Sequence, residues 1–423
     1  MPRSGPEASR AQSRLWRRVL LLGILAVLVA VAFLVGRPPA PLAPGLVLSG
    51  AERGGSVSLA RDCGYSAPFP ADPRRSLWLF CDTPVYVRGQ TASGRVAWAL
   101  RRFIPGSTAA EGRAVVGSSP RLRVPGQLSE VDTPLAAGAA PGGVPSAGDA
   151  PGPGHAPAPF LPPPRGLVTS TGRPCGSDGS YPASWASGVT RVPASPELLI
   201  AFNNYCVQLG AGGWLPEGFG LAEYDPATGR LSNDAFVFSG MNLVVGAGAK
   251  LLGSPVFSGR YLYLFGPTCT AVAHGGCATG TLFEARVPAT PRAWSDPLNY
   301  RWQSSDVPGS WTTNPVAATS VITGATPSAV SVADMAAAGR QFILVEQTDI
   351  AGDFSVYASP APAGTWHPVM SGRVPCRAGA GLLNFCRAII VHPELSTPTQ
   401  LVLSYFDPGA GPGGHVMVAG FDW

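Results

Sequence analysis

Five acidic residues and one histidine stand where short apolar runs give way to turns: Asp62 in LARDCGYS, Asp82 in FCDT, Asp334 in VADM, Glu346 in LVEQT, and His392 with Glu394 in VHPEL. Glycoside hydrolysis needs little more than two carboxyl groups, one protonated to assist the leaving group and one ionised to act as base or nucleophile. Asp62 and Asp82 are expected on neighbouring strands, with Cys63 and Cys81 beside them able to hold those strands in register. The duller reading of an aspartate in a DT pair is a turn residue that satisfies backbone N–H groups. Tyr65, Trp185, Tyr205 and Trp214 could stack on sugar rings or fill a core. Asn203 in LLIAFNN joins Tyr65, Trp185, Glu346, His392 and Glu394 as expected substrate-binding residues. His392, just before Pro393, reads as a packing residue rather than a metal ligand, since the five histidines are scattered without HExxH or HxH spacing. Neither a metal nor a cofactor is expected, because the chain has no GxSxG elbow, Walker loop or dinucleotide fingerprint.

The elements that must position these residues repeat. SLWLFCDT (Ser76 to Thr83) alternates Leu77, Leu79 and Cys81 with Trp78, Phe80 and Asp82, the period of two that marks a strand. Its cadence returns in LLIAFNN, LYLFGPT, FILVEQT and LVLSYFD, and each copy is followed by a second strand: RVAWAL, FGLAEYD, TLFEAR, FSVYASP and HVMVAGF. Further strands are expected ahead of four copies, in SVSLARD, SWASGVTRV, AVSVADM and RAIIVHPEL. Five such units predict an all-β, five-bladed β-propeller, with GLVLSG (Gly45 to Gly50) adding a strand to the last blade and closing the ring. A β-sandwich is the alternative. The 53 glycines and 45 prolines agree with many short strands and turns.

Val19 to Gly36 is uncharged and 18 residues long, near the minimum for a membrane-spanning helix. With five arginines before it and Arg37 after it, the expected order is a cytoplasmic basic N-terminus (1–18), a signal-anchor helix (19–36), a Pro-rich stalk (37–44) and an extracytoplasmic propeller (45–423). The alternative is a cleaved signal peptide and secretion. A segment of Ala, Gly and Pro from about Leu135 to Pro164 reads as an unstructured insertion within the propeller. All eight cysteines fall on the exported side, and chain order pairs Cys63 with Cys81, Cys175 with Cys206, Cys269 with Cys277 and Cys376 with Cys386. Six arginines before residue 40 account for the net charge of +5, so the body is neutral and a nucleic-acid partner is excluded.

RDCGYSAPFP, SLWLFCDT, YLYLFGPT, FSVYASPAPAGTWHP and VHPELSTPTQLVLSYFD together resemble a five-bladed-propeller family, formerly of unknown function, that includes endo-D-arabinanases. The resemblance runs from about Ser56 to Trp423, with Cys81 standing where the family usually has glycine. It implies a glycosidase that cuts the arabinan of mycobacterial-type cell walls, with Asp62 and Asp82 matching the family's acidic pair. The function expected is therefore hydrolysis of a cell-envelope furanose polysaccharide by a membrane-anchored propeller. The rival is a non-catalytic propeller that binds envelope glycan or a partner protein.

Overall fold

The computed structural model describes residues 45–47, 56–116, 122–131, 157–161, 166–169, 172–177, 179–208, 213–239, 251–273, 276–305, 307, 309–339, 341–377 and 385–423. Four of its sheets each begin with consecutive antiparallel strands: Ser180–Arg191, Leu198–Gln208, Gly213–Asp225 and Arg230–Ser239 in blade 2, Gly253–Ser258, Tyr261–Ala273 and Gly276–Pro288 in blade 3, Ala329–Asp334, Phe342–Gln347, Asp353–Ser359 and His367–Arg373 in blade 4, and Arg387–Val391, Gln400–Asp407 and His415–Asp422 in blade 5. Blade 1 comprises Cys63–Pro68, Arg75–Phe80, Thr108–Val116 and Arg123–Pro125. The first strand of each blade touches the first strand of the next, and that of blade 5 returns to that of blade 1. This circle of inner strands is a five-bladed propeller.

The ring is held by burial of both faces of every second strand. In blade 1, Leu77 and Leu79 pack with Leu198, Ile200 and Phe202 of blade 2, while Trp78 and Phe80 pack with Val402, Val416 and Val418 of blade 5. Blade 2 meets blade 3 through Leu199, Phe219, Leu262 and Leu264, and blade 3 meets blade 4 through Phe265, Leu282, Val332 and Leu344. Ile343, Val345, Leu401 and Leu403 join blade 4 to blade 5. A strand flanked by sheets on both sides must be apolar at every position, which is why the LWLF cadence recurs. Gly45 and Leu46 pair with Val418 and Met417, so the N-terminal strand does close the last blade. All four expected disulfides are formed.

Blade 1 departs from expectation. Its inner strand is Cys63–Pro68, not SVSLARD, and its third strand is Thr108–Val116, not RVAWAL. Val57–Leu59, Thr83–Gln90 and Val96–Ile104 form a separate three-stranded sheet, whose last two strands are an arm inserted between the second and third strands of the blade. Period-two alternation is the same in an arm as in a blade, and only the pairing partner separates them. Blade 3 has an inner strand, Gly253–Ser258, that no apolar run announced. Most of the expected insertion lies outside the described residues, but Phe160 and Leu161 at its far end are buried against Leu79 and Tyr224, so the unstructured reading does not extend to them. Residues 1–44 also lie outside the described residues. Among those described, no helix is long and apolar enough to cross a membrane.

Candidate active site

Asp62 immediately precedes the inner strand of blade 1, and Asp82 follows the second strand by two residues, so antiparallel pairing brings both to the same mouth of the ring. The backbone is shaped for this. A bulge falls between Cys63 and Tyr65, where Cys63 (φ 66°) and Gly64 (φ 112°) both take left-handed conformations. A Cβ on Gly64 would lie 2.9 Å from Val416 Cγ1, so only glycine allows this close approach to blade 5. Such a bulge re-aims the side chain beside it. The Cys63–Cys81 disulfide and the Cys81 N–H donated to the Asp62 carbonyl at 2.9 Å tie the two segments together.

The two carboxyl groups have different surroundings. Asp62 Oδ2 accepts the Arg387 Nε–H at 2.6 Å, and its Oδ1 accepts the Cys63 N–H at 2.7 Å. The guanidinium lies 3.8 Å from the centre of the Phe406 ring, which fixes its plane. Among the described residues, Asp82 has no cation partner. Its Oδ1 accepts the Gly106 N–H at 2.8 Å and the Trp185 Nε1–H at 2.9 Å, and its Oδ2 accepts the Tyr181 hydroxyl at 2.5 Å. Burial outweighs these three donors and, with the nearby Asp62 charge, pushes Asp82 up to about 6. Burial also raises Tyr181, Tyr65 and Tyr205; the charge of Asp82 adds to the first effect and that of Asp62 to the second. Trp185 and Tyr205, with ring centres 4.5 Å apart, make a largely buried aromatic wall beside Asp82.

This arrangement yields a direct check. Tyr181→Phe removes a donor that favours the ionised form of Asp82, so the Asp82 titration is expected to move to higher pH. Carboxyl-carbon NMR across the pH range measures it, and an unmoved or lowered midpoint would contradict the bonding described.

Of the expected substrate-binding residues, Tyr65, Trp185 and Asn203 are at this mouth. Asn203 is the cross-strand partner of Trp185, and its Oδ1 is buried without a hydrogen bond. The other three are set differently. Glu346 is buried in blade 4, accepting the Thr326 N–H at 2.6 Å and the Tyr357 hydroxyl at 3.1 Å. His392 is fully buried, 4.7 Å from the Trp78 ring and 2.6 Å from Ser66 Oγ through Nδ1, and Ser66 also bonds Glu394. None of the three touches Asp62 or Asp82 among the described residues. His392 is thus the packing histidine of the duller reading. The Trp214 side chain lies outside the described residues, and Asp334 caps the turn at Ala336.

A cavity of about 660 Å³ lies toward the C-terminal ends of the inner strands, lined by Ser66, Val189, Val256, Val332, Val391 and Glu394 among others. It excludes both Asp62 and Asp82, and Tyr65 is the member of the acidic cluster that reaches it. Space and chemistry therefore part company, and the paired carboxyl groups, with their donors and aromatic wall, are the better mark of a site. Arg387, Tyr181 and Gly106 were not foreseen. For Arg387, its place at the start of an inner strand was the available signal; for Gly106 there was none. No group of three His, Cys, Asp or Glu residues among those described is arranged to hold a metal.

No protein-family model and no curated protein matches the chain. Solved structures do. A Bacteroides ovatus protein provisionally called a hydrolase is similar with a TM-score of 0.50 and 14% identity, covering 85% of each chain. That likeness is one of fold alone. An α-L-arabinofuranosidase from Fusarium graminearum, solved with an iminosugar inhibitor, matches at a TM-score of 0.37 and 9% identity over 91% of this chain and 98% of the other. A GH43_1 enzyme from Xanthomonas citri matches at 0.41 and 11% over 91% of each. At such scores these two carry no weight for what the chain does.

Proposed function

We propose that the chain is a glycoside hydrolase acting on a cell-envelope furanose polysaccharide such as arabinan, exported and held at the membrane through residues 19–36. The observation that carries the reading is the asymmetry of the two carboxyl groups: Asp62 paired with Arg387, and Asp82 raised to about 6 with no cation partner among the described residues. Asp82 is the proton donor to the leaving oxygen, and Asp62 the carboxylate that acts as base or nucleophile. The 2.5 Å contact suits a proton that leaves and returns, because the Tyr181 hydroxyl can donate to the carboxylate or accept from the acid. Trp185 and Tyr205 offer a face on which a sugar ring can stack. Four disulfides agree with an extracytoplasmic site, and the uncharged stretch before the stalk agrees with an anchor.

Incubating the full chain with arabinan and following new reducing ends tests this. The rate is expected to fall about tenfold per pH unit above an apparent value near 6, as Asp82 loses its proton. Absence of product at every pH would sink the proposal. One observation favours the binding-only rival: both carboxyl oxygens of Asp82 are already engaged by donors of the protein itself. Arabinan binding that survives loss of both aspartates, without cleavage by the unmodified chain, would establish that rival.

A further inference from the structure

The arm inserted in blade 1 starts at Thr83, one residue past Asp82, and ends at Ile104, two residues before the Gly106 N–H that Asp82 accepts. Phe103 sets its ring 5.2 Å from that of Tyr181, edge to face, so the arm is rooted on the rim of the carboxyl mouth. Its long strands have eight and nine residues, a reach of about 30 Å at about 3.4 Å per residue. Between Thr83 and Ile104 there are four arginines, Arg88, Arg95, Arg101 and Arg102, and no acidic residue. All four are exposed, and none has an ion-pair partner among the described residues. Arg88 lies directly across from Trp98, and Leu100 and Val96 follow on the same face. Beyond residue 40 basic and acidic residues are equal in number with the arm included, so the rest of the body is net acidic and the positive excess is local to the arm.

We infer that the arm is a guide for an anionic polysaccharide, binding carboxylate or phosphate groups of a glycan chain whose neutral stretch enters the mouth. Unpaired arginines held on a two-stranded ribbon recognise anionic groups by charge and by their planar forks, and Trp98 supplies a stacking face between them. A polymer leaving the Asp82 side of the mouth passes the arm, because the arm begins there. The inference rests on the hydrolase reading for what lies in the mouth, but its test does not depend on turnover.

The full chain, the triple variant R88Q/R101Q/R102Q and Asp82→Asn are compared for binding to polygalacturonate, to a phosphodiester-linked glycan, to neutral arabinan and to phosphatidylglycerol vesicles. The unmodified chain and Asp82→Asn are expected to bind at least one of the two acidic glycans alike, with affinity falling about tenfold or more between about 50 and about 200 mM salt. Which of the two is bound distinguishes carboxylate from phosphate. The triple variant is expected to lose about tenfold in that binding at low salt, with its melting temperature and its action on neutral arabinan unchanged. Equal binding by the triple variant, no binding of either acidic glycan, or tighter binding to the vesicles than to both, overturns the inference. If the arm binds as expected but no form of the chain cleaves arabinan, the arm stands and the hydrolase reading falls.

Discussion

Asp82→Asn is expected to lower the rate of arabinan cleavage about 1,000-fold, because an amide cannot deliver the proton that the leaving oxygen needs. The same change should alter how stability depends on pH. Asp82 is raised in the folded chain, so the protein is favoured by its protonated form at low pH and loses that advantage as pH climbs from about 4 to about 6. A shift of about two units corresponds to about 3 kcal/mol, an upper figure for a group that is not wholly buried. Thermal melts of the unmodified chain should therefore fall more steeply across this window than those of Asp82→Asn. A variant that keeps more than a tenth of the activity would remove Asp82 from the mechanism. A parallel decline of both melting curves would show that its burial costs nothing.

The second large effect is structural. Trp78 is buried between blades 1 and 5, where it packs with Val402, Val416 and Val418 and covers the ring of His392. Trp78→Ala is expected to cost about 4 kcal/mol, since the cavity it leaves opens beside a buried imidazole whose Nε2 has no partner among the described residues. That corresponds to a fall of roughly 5–10 °C in melting temperature. Trp78→Phe should lose less than half as much, because it keeps the ring over His392. Denaturant titration of the two variants measures the difference, and a loss below about 1 kcal/mol for the alanine variant would mean the blade 1 to blade 5 contact is not a source of closure.

The structure explains why some of this was legible in the sequence. A second strand with a blade on each side must be apolar on both faces, so SLWLFCDT, LLIAFNN and their companions announced the blades wherever they fell. Disulfides between residues close in sequence were equally readable, since neighbouring strands and loops keep such cysteines together. Asp62 and Asp82 stood out because each ends or precedes a strand of one hairpin. Glu346, His392 and Glu394 shared the same signature, an acid or imidazole at a strand end, yet Glu346 and His392 are buried against Tyr357 and Trp78, and Glu394 lines the cavity away from Asp62 and Asp82. Sequence pattern reports that a strand stops, not which side of it faces water.

By itself, then, the sequence determined the five-fold repeat, the ring closure by Gly45 and Leu46, and the presence of two carboxyl groups on one hairpin. These follow from local periodicity and from short-range pairing. Only the tertiary structure decided that RVAWAL belongs to an arm, that Arg387 pairs with Asp62 across a sequence separation of 325 residues, and that Tyr181 and Trp185 enclose Asp82. The physical reason is the closure of the ring: residues far apart along the chain meet at its mouth, where Arg387 pairs with Asp62 while burial raises Asp82.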